Sequence, residues 1–397
     1  MEPSGSAMKP PILAGLRVVE LGAFIAGPFG GVALASLGAE VIRVDPPGGG
    51  IDINRGPRFE GRSLYWAGIN QGKRSVTIDT RTEQGRRRVI SLITAPGEGA
   101  GIVLTNLPVA GWNSYEELRK LRPDVIMVVI TGQQDGASAV DYTVNAGLGF
   151  PWITGPEGHD GPVNHVLPAF DVMTGYCAAM AIVAADRRRR MTGEGQLVEI
   201  ALADVALAAA GHLGYIAEAI LNPEPRGRHG NDVYGTFGHE FATGDDRRVM
   251  VLGLTARQFR NLVEATELVD EMAALESRLG LDFRDEDHRW RARKQICELL
   301  EPWFNARSLA DVQVALDEHG VLWGPYQTFK QFVMEDKRMS EPNPMVAQVK
   351  HPGFGTVATV ASPLRFSGAD AVPPQPAPTL GGDTDRVLRE LGVEVEP

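Results

Sequence analysis

Cysteine is nearly absent. Cys177 and Cys297 are the only two in 397 residues, far apart and outside any CxxC or Cys/His cluster, which argues against a disulfide framework and against a zinc site and points to a reducing compartment. Positive charge is also in deficit, with 39 Lys and Arg against 50 Asp and Glu and a formal net charge of −11. A nucleic-acid partner is therefore not expected, since phosphate backbones select basic surfaces; only a local basic patch could hold a small polyanion. No stretch reaches 18 uninterrupted apolar residues, and the opening "MEPSGSAMKP" lacks the basic, apolar and small-residue regions of a signal peptide. A cytoplasmic location, no membrane partner and a disordered segment 1–10 are expected. The histidines His159, His165, His212, His229 and His239 show no metal-ligand spacing, and no G-x-S-x-G elbow marks a serine nucleophile; no metal is expected. Aromatic residues make up only 7%, yet 43% hydrophobic residues suffice for a substantial core at this length.

What is present reads as α/β. "LRVVEL" is a short apolar strand, "GAFIAGP" a turn, "FGGVALASLGA" a small-residue helix after Pro28 and "EVIRVDPP" a second strand, together a βαβ unit. "SVTID", "GIVLTN", "DVIMVVITG" and "LVEIAL" add strands, separated by helical segments around 82–94, 113–121 and 172–190, which predicts a parallel, doubly wound, Rossmann-like sheet. The turn-rich "NPEPRGRHGNDVYGTFGHEFATGDD" breaks that pattern, and helical stretches follow. The expected layout is a large domain from 11–222 and 335–397, with a smaller α/β domain at 223–334.

Several segments could carry chemistry. "LGAFIAGPFGG" tempts a dinucleotide reading with Asp45 ending the next strand, but the glycine spacing departs from G-x-G-x-x-G and Pro28 removes an amide where one is wanted. The four arginines in "RRRRMTGEGQ" close a helix before Gly193, so a solvated helix end is expected there. Lys73 and Arg74 in "INQGKRSVTID" sit on a Gly-containing loop able to meet a phosphate. Asp171 in "LPAFDVMTG" precedes an apolar run, and on spacing alone it is a helix cap.

The ordered set "LAGLRVVELGAFIAGPFGGVALASLGAEVIRVDPPGGG", "NQGKRSVTID", "LTNLP", "SYEELRKLRPDVIMVVITG", "AFDVMTGYCAAMAIVAA" and "RRRRMTGEGQLVEIALAD" resembles the class III CoA-transferase family over nearly the whole chain. The resemblance implies a large α/β domain from both chain ends, a smaller domain between, and two chains interlocked as a homodimer. It makes Asp171 the catalytic nucleophile, acylated by an acyl-CoA and then carrying CoA as a thioester, with no cofactor beyond the CoA of the substrate. Ile25, Ala26, Lys73, Arg74, Asn106, Leu107 and Tyr142 fall at CoA-lining positions, and Gly235, Thr236, Phe237 and Gly238 at a glycine-rich flap. "NLPVAGW" is shorter than the family's usual stretch and lacks its phosphate-facing Arg. The details of "VNHVLPAFDVMTG" and "GNDVYGTFG" resemble members that move CoA between the two carboxyl groups of one small, methyl-branched dicarboxylic acid. Exchange of CoA between different dicarboxylic acids stays open. Racemisation of a methyl-branched acyl-CoA on the same fold would need a His near Val140 and a Glu near His239, and a valine transfers no proton. Asn164 and His165, just ahead of Asp171, are candidates to hold the free carboxylate.

Overall fold

The computed structural model describes residues 9–109 and 111–393; most of the expected disordered segment lies outside them. Six strands, β1 (Arg17–Leu21), β2 (Glu40–Asp45), β3 (Arg74–Thr77), β4 (Ile102–Thr105), β5 (Ile126–Thr131) and β6 (Gln196–Ala201), form one sheet in the order β3-β2-β1-β4-β5-β6, and every pairing is parallel. The strands read as unbroken apolar runs because both faces are covered. Val18, Val41, Ile102 and Ile126 pack beneath helices α1 (Ala26–Ala35) and α6 (Ala169–Thr192). Their neighbours Val19, Ile42, Val103 and Met127 face α3 (Glu83–Thr94), α4 (Tyr115–Leu121) and the C-terminal helix α12 (Thr384–Glu390). The strand order reverses between β1 and β4, which opens a crevice beyond their C-terminal ends.

Glycine sets the spacing of α1 and α6. A Cβ on Gly175 would lie 2.9 Å from the Phe29 Cβ, and one on Gly30 would lie 3.0 Å from the Gly175 carbonyl, so the helices touch backbone to backbone. At its far end α6 closes at Gly193 in the left-handed region (φ 76°). The arginine run there is only partly solvated: Arg189 is buried, donating to the Ala100 carbonyl at 2.6 Å and pairing with Asp186 at 2.6 Å. The solvated reading fails for Arg189 because the 97–101 turn supplies carbonyls that need donors. The tail from 341 onward belongs with the large sheet, and α12 is pinned to β3 where Ser75 N donates to Asp383 and Thr77 N to Thr384 Oγ1.

The chain divides into two units, one of residues up to 148, 166–221 and from 341 onward, the other of 149–165 and 222–340. The second unit has an antiparallel sheet of β7 (Phe237–Ala242), β8 (Arg248–Gly253) and β9 (Leu322–Pro325) in the order β9-β8-β7. Helices α8 (Ala256–Ala265), α9 (Val269–Leu279), α10 (Arg293–Asn305) and α11 (Leu309–Glu318) supply apolar faces to its core, around Phe241, Leu262, Phe304 and Leu316. Residues 149–165 join this unit because Arg228 donates to the Pro151, Trp152 and His159 carbonyls, while Glu157 pairs with Lys294 at 2.9 Å.

Candidate active site

The crevice at the strand reversal is a cavity of about 820 Å³. Ile25, Ala26, Asn106, Leu107, Tyr142 and Asp171, all singled out in the sequence, lie together on its wall. Asn106 also builds the wall: its amide oxygen accepts from Ala23 N at 2.9 Å and its amide nitrogen donates to Ala23 O at 2.7 Å, tying the loop after β1 to the loop after β4. Thr105 Oγ1 donates to the Leu21 carbonyl at 2.8 Å and strengthens the same joint. Tyr142 is half-exposed and its hydroxyl donates to Val166 O at 3.2 Å.

Asp171 lies in the first turn of α6, but it is not the cap. The N-cap is Pro168, which makes no side-chain bond, and the open amides are taken by another carboxylate. Asp141, the first residue of α5 (Asp141–Gly147), is 1% exposed, and its Oδ2 accepts from Phe170 N at 2.8 Å and from Asp171 N at 3.1 Å. The expectation that the helix-start amides hold the Asp171 carboxylate is therefore corrected. Burial pushes the Asp171 carboxyl up, the negative charge of Asp141 pushes it further and Arg55 pulls it back, leaving it at about 6. At neutral pH it is an ionised but under-solvated carboxylate, a stronger nucleophile than an exposed one.

Sequence reasoning missed Asp141, Arg55 and Tyr65. Among the described residues Arg55 is the only Lys or Arg on the cavity wall, and its guanidinium lies 5.6 Å from the Phe24 ring and 5.3 Å from the Tyr65 ring. Phe24 holds a left-handed backbone (φ 58°), with its amide donating to the buried Asp52 at 3.0 Å. The Tyr65 hydroxyl is buried without a hydrogen-bond partner among the described residues, and burial pushes its pKa up. Asp141 carried only the weak signal of a carboxylate type common in first helical turns, and the other two carried none.

Lys73 and Arg74 lie elsewhere. The Lys73 ammonium is fully buried, bonded to both Glu20 oxygens (3.0 and 2.8 Å), to Pro28 O at 2.8 Å and to Asn70 Oδ1 at 2.9 Å. All its donors are used beneath the first turn of α1, so it presents none to a phosphate. Arg74 sits on the edge strand, paired with Glu40 and Glu390 at 2.6 Å each. Asp45 is held by Arg43 at 2.8 and 3.0 Å, which leaves it unsuited to a ribose. In the second unit Asn164 is exposed and His165 half-buried. Phe237 is fully buried against Phe259, Thr236 Oγ1 donates to Leu254 O at 3.2 Å, and a Cβ on Gly238 would fall 2.6 Å from Leu252 and Val233. Only Gly235 (φ +80°) faces open space.

The model of "CoA-transferase family III" matches residues 13–384. The 2-methylfumaryl-CoA isomerase of Chloroflexus aurantiacus is 52% identical over 382 residues, covering 96% of this chain and 93% of that protein. A succinyl-CoA:mesaconate CoA-transferase of Haloarcula hispanica is 29% identical, with 95% of this chain and 96% of that protein covered. Among solved structures, a CAIB/BAIF family protein from Brucella suis superposes with a TM-score of 0.79 at 26% identity, covering 96% of this chain and all of that one.

Proposed function

The chain is an enzyme of CoA-transferase family III, and from that premise we propose that it converts 2-methylfumaryl-CoA into 3-methylfumaryl-CoA by moving CoA between the two carboxyl groups of one substrate molecule. The observation that carries this reading is the ionisable carboxyl of Asp171 on the cavity wall, with a pKa near 6; the 52% identity to a 2-methylfumaryl-CoA isomerase supports the choice of substrate. An Asp171 oxygen attacks the C1 thioester carbonyl, the C–S bond breaks, and CoA leaves as thiolate from a mixed anhydride. The thiolate attacks the aspartyl carbonyl, releasing 2-methylfumarate and leaving an aspartyl thioester. The C4 carboxylate then attacks that thioester, expelling thiolate and forming the second anhydride. Attack of the thiolate on C4 gives the product and restores Asp171. Each electron pair comes from a carboxylate or the thiolate, and no net proton is consumed.

Ile25, Ala26, Leu107 and Tyr142 would line the CoA arm, and Arg55 offers a guanidinium to an anionic group of the substrate. Asn164 and His165 are proposed to hold the carboxylate that is not reacting, and a flap role at 235–238 rests on the backbone at Gly235. A second, interlocked copy of the chain completes the reading, tested by sedimentation at twice the mass of one chain. The decisive experiment incubates 2-methylfumaryl-CoA with isotopically labelled free 2-methylfumarate. Formation of 3-methylfumaryl-CoA without label supports intramolecular transfer; label in the product replaces it with exchange between separate acids, the activity named for the Haloarcula relative.

A further inference from the structure

We propose that Asp141 is a positioning residue for the nucleophile: by occupying the first-turn amides of α6 it denies them to Asp171 and places a second carboxylate behind the attacking one. The inference rests on Asp171 being the acyl acceptor. A carboxylate in a first helical turn ordinarily gains from the open amides and from the positive end of the helix dipole, which stabilise it and blunt its nucleophilicity. Here two of those amides, at Phe170 and at Asp171 itself, already bond to one oxygen of Asp141 at 2.8 and 3.1 Å. Asp171 is therefore left to face the cavity without its own helix start. Asp141 is in turn fixed by its place at the head of α5, where Thr143 Oγ1 accepts from Val140 N at 3.1 Å and donates to Val140 O at 2.9 Å. Two helix starts thus meet, and one carboxylate serves both the cap and the field.

Two charged groups act on Asp171 from nearby, Asp141 and Arg55. Asp141 raises its pKa and Arg55 lowers it, and Tyr65 on α2 (Leu64–Ile69) and Asp52 lie in the same neighbourhood. Of the elements packed on α6, α1 and β5 carry no titratable side chain, α5 carries Tyr142 beside Asp141, β6 carries Glu199, and α7 (Leu202–His212) carries Asp204 and His212. In Asp141→Asn the amide oxygen can still accept from both backbone amides, so the cap survives while the charge is lost. Two readouts decide the matter across pH 5 to 9: single-turnover acylation of Asp171 by an acyl-CoA, trapped with hydroxylamine, and carbodiimide amidation of Asp171 read by peptide mass, which reports its protonation without turnover. Both midpoints should move down by about one pH unit in Asp141→Asn, and acylation above pH 8 should slow about threefold to tenfold. Asp141→Ala, which loses the cap as well, should also melt at lower temperature. Profiles of Asp141→Asn that superimpose on wild type, or midpoints that rise, overturn the proposal. If wild-type Asp171 is never acylated, the acyl-aspartate reading fails by itself, and the amidation midpoint still decides what Asp141 does.

Discussion

Replacing Lys73 by Met tests whether this residue belongs to the fold or to the ligand. Its ammonium makes four short polar contacts, two of them to Glu20, with the side chains of both residues fully buried. Methionine is of similar length, so little void results, but among the described residues Glu20 keeps only Arg43, 3.5 Å away, as an ionic partner. Arg43 is already shared with Asp45 and Asp52. Breaking a buried pair from one side costs about 3–5 kcal/mol, and the double variant Glu20→Gln/Lys73→Met should recover more than half of that. The assay is urea unfolding followed by tryptophan fluorescence at fixed protein concentration, paired with steady-state kinetics on the folded fraction, where KM for the acyl-CoA should stay within about threefold of wild type. A phosphate contact would behave oppositely, since losing about 1.4 kcal/mol of binding raises KM about tenfold. Normal unfolding of Lys73→Met combined with such a rise in KM would refute the structural assignment.

Asp171→Asn should abolish transfer and also stabilise the protein. The folded carboxyl titrates near 6, above its unfolded value of about 3.9, so its share of stability is present below pH 4 and is lost as pH rises from 4 through 6. The variant should gain about 1–3 kcal/mol at pH 8 and almost nothing at pH 4 in denaturant melts; a uniform change would contradict the pKa. Asn106→Ala removes both bonds to Ala23, which should cost about 1–3 kcal/mol and raise KM for the acyl-CoA; unaltered KM would show that the joint between the two loops does not shape the cavity. Phe237→Ala should cost about 3–5 kcal/mol by emptying a site in the second core, whereas a loss under about 1 kcal/mol would return Phe237 to the flap. His165→Ala should increase escape of free 2-methylfumarate more than it slows Asp171 acylation; equal effects on both would leave His165 a structural residue.

Periodicity and local turn chemistry carry their information within a few residues, and to that extent the sequence was decisive. The apolar runs of β1, β2, β4 and β5 could be read as strands because each must bury both faces, and a parallel sheet follows from the helices between them. The ordered motifs from "LAGLRVVEL" to "LVEIALAD" singled out Asp171, Ile25 and Ala26, three residues that share one cavity wall. Burial and long-range partnership lie outside that reach. Lys73 in a Gly-containing loop looks like a phosphate ligand until Glu20, 53 residues earlier in the chain, is seen to take its charge. Asp171 looks like a cap until Asp141, 30 residues away, is seen to hold the amides. Arg55, Phe24 and Tyr65 meet only because β1 and β2 lie side by side in parallel and bring the segments beyond their C-terminal ends together. The residue types were written in the chain, but the charge each one feels depends on which neighbours the fold strips of water, and that is settled in three dimensions.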